Sequence, residues 1–281
     1  MSFTRPRDGA LLDAFTLLLS QRERAQRQMN AALERLLERD RLIVIGALVA
    51  VAALGWTYTL GLDLGRWPSL MAMPQRHGWT GADVALTMLM WLVMMLAMMT
   101  PAAAPVVLSV ATIERRRGKP HAPARVALAF AGYFAIWGAA SVAATLMQWG
   151  LHDAGWLDGA MGRLLPGIAG ATLIAVGVYE LSPLKAACLR LCRSPIETIV
   201  AFWRPTPSGS FRVGLHHGIY CLGCCWGLML ILFVAGIMNL LWIALLTALV
   251  LVEKLLPWGQ IFGRILGIGL IAWGALLLVA D

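Results

Sequence analysis

From Arg41 to its end the chain is a succession of apolar stretches, and their length constrains it more than any other feature. A helix needs about 20 residues to cross about 30 Å of hydrocarbon. Such stretches lie near residues 42–61, 84–112, 126–147, 164–181, 213–236, 239–252 and 265–280. The run from Val213 to Val252 would make about 60 Å of helix, twice the membrane. It must fold back, and Gly236, Met238 and Asn239 supply the turn. With 59% hydrophobic and 14% charged residues, the chain lacks the polar surface of a soluble domain. The expected fold class is all-α: a polytopic transmembrane helical bundle of about seven spans. Because the last stretches are short, six spans and a re-entrant segment is the alternative.

Residues 1–40 differ in kind. "LLDAFTLLLSQRERAQRQMNAALERLL" reads as an amphipathic helix over Leu11–Arg39, too charged after Ser20 to cross a bilayer. It is expected to be a solvated helix that serves only orientation, the alternative being a helix on the inner membrane surface or against a partner. No short apolar core ending in small residues marks a cleavable signal, so the amino terminus is expected to stay in the cytoplasm. The expected organisation is a cytoplasmic amphipathic helix, 1–40, and a transmembrane metal-binding domain, 41–281.

The net charge of +8 would suit nucleic acid on a soluble protein. Here the distribution argues for lipid. With seven spans and the amino terminus inside, the interior segments 1–41, 113–125, 182–212 and 253–264 hold 20 of the 23 Lys and Arg residues, leaving Arg66, Arg76 and Arg163 outside. That is the positive-inside bias. The expected location is a bacterial inner membrane, with the bilayer as partner and no nucleic acid.

The chemistry concentrates in "LHHGIYCLGCCWGLML", Leu215–Leu230. On a helix His217, Cys221, Cys224 and Cys225 fall at spacings of three and four and share one side. Thiolates with an imidazole suit soft or borderline ions such as Cu(I) and Zn(II). His216 points elsewhere and reads as an interfacial or supporting group. The bland alternative is that these cysteines are small hydrophobes, with Gly223 and Gly227 permitting close helix approach. Cys221 and Cys224 also form a C-x-x-C, which admits a membrane thiol oxidoreductase, though without the soluble strand-to-helix context of such sites.

A second sulfur-rich stretch, "TMLMWLVMMLAMMTPAAAP", carries Met88, Met90, Met94, Met95, Met98 and Met99. Thioether sulfur binds Cu(I) and has little affinity for Zn(II), so this span favours copper over zinc. Packing alone is the competing explanation. Pro101 and Pro105 could kink the span and open room beside it. "MAMPQRH" offers Met71, Met73 and His77 as a looser set at the outer face. Cys188 and Cys192, four apart beside Lys185, Arg190 and Arg193, are either buried apolar groups or stations for an ion near the cytosol. Glu180 and Glu253 are expected to pair with Lys185 or Lys254. No nucleophilic triad, phosphate-binding loop or nucleotide fingerprint is present in a usable context, so the chain is not expected to be an enzyme.

The strings "MWLVMMLAMMTPAAAP", "YELSPLKAACLRLCRSP", "GLHHGIYCLGCCWGLMLILFVAGIMNLLWIA" and "EKLLPWG" resemble the bacterial family of predicted metal-binding integral membrane proteins known as domain of unknown function 2182. The resemblance runs from about Arg41 to the end. One member looks like a membrane copper chaperone required to activate a tyrosinase, which implies copper handling here. Carried over by motif, the ligands are His217, Cys221, Cys224 and Cys225, with Met94, Met95, Met98 and Met99 as the partner set. The resulting expectation is a membrane protein that binds Cu(I), with zinc as second choice. It would pass the ion by ligand exchange to a cuproenzyme or a partner chaperone. The alternatives are a thiol-disulfide oxidoreductase using Cys221 and Cys224, and a structural or assembly subunit without metal.

Overall fold

The computed structural model describes residues 42–61, 78–117, 121–158, 162–237 and 239–280. The amino-terminal amphipathic helix, the Met71, Met73 and His77 set, and the turn residue Met238 lie outside them. Ile45–Asp281 form one compact unit.

The helices are α1 (Leu42–Gly61), α2 (Gly81–Arg116), α3 (Ala122–Asp153), α4 (Pro166–Glu180), α5 (Pro183–Arg193), α6 (Pro195–Phe202), α7 (Pro207–Ala235), α8 (Leu240–Leu255) and α9 (Gly259–Ala280). Between α3 and α4 a short hairpin pairs β1 (Leu157–Asp158) with β2 (Arg163–Leu164), Leu157 opposite Leu164. The helix starts are written in the sequence. Thr80 and Asp83 close a capping box on α2, and Ser182 and Thr206 cap α5 and α7. Proline opens α4, α5, α6 and α7, where its missing N–H is not needed.

Among the described residues five helices, α1, α2, α3, α7 and α9, are long and apolar enough to cross a membrane. The number is six if α4 and α5, bent by 62° at Leu181–Ser182, count as one broken span. The expected count of seven takes α4 and α8 as further spans, and the bent α4–α5 pair fits the expected alternative with a re-entrant segment. The 15 residues of α4 and the 16 of α8 reach only about 22 and 24 Å at 1.5 Å per residue, short of the hydrocarbon thickness. The expected reversal after Val213 does occur: α7 ends at Gly236, whose φ of 104° suits glycine, and Asn239 caps α8 by accepting from the Leu241 and Trp242 N–H groups. Pro101 and Pro105 do not interrupt α2, which runs through both.

Helix α3 lies between α2 and α7, and glycine sets how close it comes to α7. A Cβ on Gly214 would overlap the Ala129 carbonyl oxygen, one on Gly132 would overlap that of Phe211, and one on Gly218 would come 3.0 Å from the Tyr133 oxygen. The two backbones therefore touch, as small residues permit in membrane bundles. The same device joins α4 to α9, where Gly170 faces Gly274 and Gly177 faces Gly267. Gly223 and Gly227, expected to permit close helix approach, receive Cys188 of α5 and Tyr179 of α4 against α7. Helix α2 meets α3 through a buried bond from Trp91 Nε1 to Gln148 Oε1, 2.7 Å. It meets α7 where Trp91 stacks on Phe233.

Candidate metal centre

The three cysteines and the histidine singled out on α7 share one buried side. Cys221, Cys224, Cys225 and His217 are each exposed by 1% or less. Their surroundings come from α2, α3, α5 and α8.

Tyr133 of α3 is held against α7 by the glycine contacts. Its hydroxyl shares a hydrogen bond with Cys221 Sγ, 2.8 Å apart, and lies 3.4 Å from the Met99 carbonyl oxygen of α2. Its ring packs beside that of His217, centroids 6.0 Å apart. One residue thus touches the thiol, the imidazole and the backbone of the methionine span.

Lys254 arrives from the opposite side. Its ammonium donates to Cys221 Sγ at 2.8 Å and approaches Cys225 Sγ at 4.0 Å. The turn explains why. Cys221 lies 15 residues before Gly236 and Lys254 lies 15 residues after Asn239, so antiparallel helices of equal rise bring them level. Lys254 and Lys185, counted among the cations of the interior segments, are both buried within the protein. Of the two lysines expected to pair with Glu180 and Glu253, Lys185 does so. Lys185 takes both, donating to Glu253 Oε1 and Oε2 at 2.8 and 2.9 Å and to Glu180 Oε2. Gly263 leaves space for this group, since a Cβ there would stand 2.7 Å from Glu253 Oε1. A cavity of about 180 Å³ lined by Glu180, Lys185, Gln260 and Arg264 adjoins it.

Cys192 of α5, 6% exposed, is close enough to Cys221 and Cys224 to interact with both. It is a fourth sulfur at the cluster. Neither Tyr133 nor Lys254 was legible as part of the site, whereas Cys192 carried a signal in its spacing from Cys188. His216 is apart from the sulfurs, stacked on Phe202 with Nδ1 bonded to the Arg212 carbonyl.

The methionine set is buried as well. Met94 and Met95 are 3% exposed, Met98 and Met99 0%. They belong to a helix that reaches α7 mainly across α3, with Tyr133 as the link nearest the thiols.

Among the described residues no three His, Cys, Asp or Glu side chains are arranged to hold a metal ion. The thiols are engaged with protein: Cys224 and Cys225 both donate to the Cys221 carbonyl, at 3.1 and 2.9 Å. His217 is the exception. Both its ring nitrogens are buried without a hydrogen-bond partner, although a buried imidazole ordinarily has one.

A family model described as PpoB2, copper chaperone, matches residues 88–277, which is 190 of the 281 residues. The chain belongs to this copper chaperone family. The match begins at Met88 and takes in α3 to α8 whole, so every residue named above in the thiol cluster, and the methionine set, lies within it. No curated protein and no solved structure matches the chain.

Proposed function

We propose that this protein is a carrier of Cu(I) within the bacterial inner membrane, its amino terminus cytoplasmic. It would hold the ion on Cys221, Cys224, Cys225 and His217, with Met94, Met95, Met98 and Met99 as neighbouring soft donors, and release it to a cuproenzyme or a partner chaperone. The reading rests on membership in a copper chaperone family and on the membrane-length helices. The observation that carries the site is the His217 imidazole, buried beside thiols with both nitrogens unpartnered. Leaving a buried polar group unpaired costs about 1–3 kcal/mol, and a metal bond to one nitrogen removes that cost.

Copper is the cargo, and ligand exchange between soft donors moves it without bond-making catalysis. Binding requires the Cys224 and Cys225 thiols to turn from the Cys221 carbonyl toward the ion. Each thiol that ligates gives up a proton. The Lys254 ammonium and the Tyr133 hydroxyl hold Cys221 Sγ in place from two sides. Thiolate and thioether donors select Cu(I) over harder ions. The charge distribution of the segments between apolar stretches supports the orientation.

The test is metal content. Protein purified anaerobically with Cu(I) is expected to hold near-stoichiometric copper by elemental analysis. The double variant Cys221→Ser, Cys224→Ser is expected to hold none. Copper retained by that variant would defeat the assignment of the site.

A further inference from the structure

We propose that Cys188 and Cys192 form a thiol relay that carries Cu(I) between the surface of the bundle and the buried cluster on α7. The proposal deepens the copper reading and depends on it.

Of the five cysteines, Cys188 alone is partly exposed, and the other four are buried. Cys188 and Cys192 lie four apart on α5, one turn and about 6 Å of rise on the same side of the helix. Cys192 is the inner of the two, buried at 6% exposure on the helix that packs against α7, and it interacts with Cys221 and Cys224. Cys188 is the outer, and its sulfur rests on Gly223: a Cβ there would come 2.9 Å from Cys188 Sγ. Gly223 lies about 100° around α7 from Cys224, so the outer thiol stands beside the sulfur stripe and reaches it through Cys192. The helix carrying both cysteines is fixed in place at each end. The Lys185 ammonium is buried between Glu180 and Glu253, and Arg193 donates to the Leu256 carbonyl at 2.6 Å.

Among the described residues, several side chains packed around the cluster are themselves buried. Tyr133 and Leu173 are 0% exposed, Trp137 1%, Leu189 2% and Lys254 8%. A bare cation cannot cross such packing, because an unpaired charge in an apolar interior is prohibitively costly. It must stay bonded to a soft donor throughout, which successive sulfurs provide. Each step is an exchange. A Cu(I) thiolate complex at the surface gives its ion to Cys188: a new copper–sulfur bond forms, the bond to the donor thiolate breaks, and the Cys188 proton passes to that donor. The same exchange repeats from Cys188 to Cys192 and from Cys192 to Cys221 or Cys224. The ion stays Cu(I), so no oxidant or reductant is consumed.

The experiment loads the full chain in detergent micelles with Cu(I)–glutathione under anaerobic conditions. The rise of copper–thiolate absorption in the ultraviolet is followed, and bound copper is measured at equilibrium. Cys188→Ser is expected to reach wild-type copper content but to load about tenfold more slowly or worse, a barrier increase of about 1.4 kcal/mol. Cys188→Met keeps a soft sulfur and is expected to recover most of the rate, which a merely structural side chain would not explain. Wild-type loading by Cys188→Ser, or no advantage of Cys188→Met over it, overturns the relay alone. A wild-type protein that takes up no Cu(I) overturns the copper reading itself, and the relay with it.

Discussion

Removing the Lys185 ammonium is expected to be among the most damaging single changes to the described bundle. Lys185 is 1% exposed and stands between Glu180, 5% exposed, and Glu253, 1%. Its nitrogen is 2.8 Å from Glu253 Oε1. At that distance the gross attraction is about 6 kcal/mol with an effective dielectric constant near 20, and most of it offsets the desolvation of the three groups. Lys185→Met leaves two carboxylates buried against each other, which costs about 3–5 kcal/mol by comparison with other buried pairs broken on one side. For a unit of this size the loss corresponds to a fall in Tm of about 6–20 °C. Thermal unfolding in detergent micelles, followed by the fluorescence of the 12 tryptophans, measures it directly. The triple variant Glu180→Gln, Lys185→Met, Glu253→Gln removes all the charges together and is expected to regain most of the stability. If Lys185→Met melts within about 2 °C of wild type, or the triple variant melts below it, the network does not hold α4, α5 and α8 together as argued.

Two further outcomes follow from the same geometry. Gly214→Val puts carbon where the Ala129 carbonyl oxygen stands and is expected to cost about 3 kcal/mol or more. Gly138→Ala on α3, with nothing within 4 Å, is expected to gain up to about 1 kcal/mol, and equal melting of the two variants would refute backbone contact between α3 and α7. Lys254→Met removes the only ammonium seen on Cys221 Sγ among the described residues and leaves an anionic copper–thiolate cluster without its counter-charge. Its Cu(I) affinity, measured by competition with a Cu(I) chelator, is expected to fall about tenfold or more, and unchanged affinity would remove Lys254 from the site.

Much of this protein follows from the order of its residues alone. Apolar runs of membrane length dictate helices, because a backbone in hydrocarbon must satisfy its own hydrogen bonds. Spacings of three and four gather His217, Cys221, Cys224 and Cys225 on one side of one helix, a relation local enough to read without a neighbour. Gly236 and Asn239 mark the reversal for equally local reasons of backbone freedom and capping. What surrounds the thiols is another matter. Tyr133 is 88 residues from Cys221 and Lys254 is 33 residues away, and neither has a sequence pattern that points to sulfur. Tyr133 arrives because glycines let α3 lie on α7, and Lys254 because α8 returns in register with it. Hydropathy registers the apolar character of α4 and α8 but neither their length, 15 and 16 residues, nor the 62° bend between α4 and α5. That Lys185 claims both carboxylates and leaves Lys254 to the thiol was decided only by tertiary packing, because the choice among equivalent charged partners turns on which helices touch and at what height.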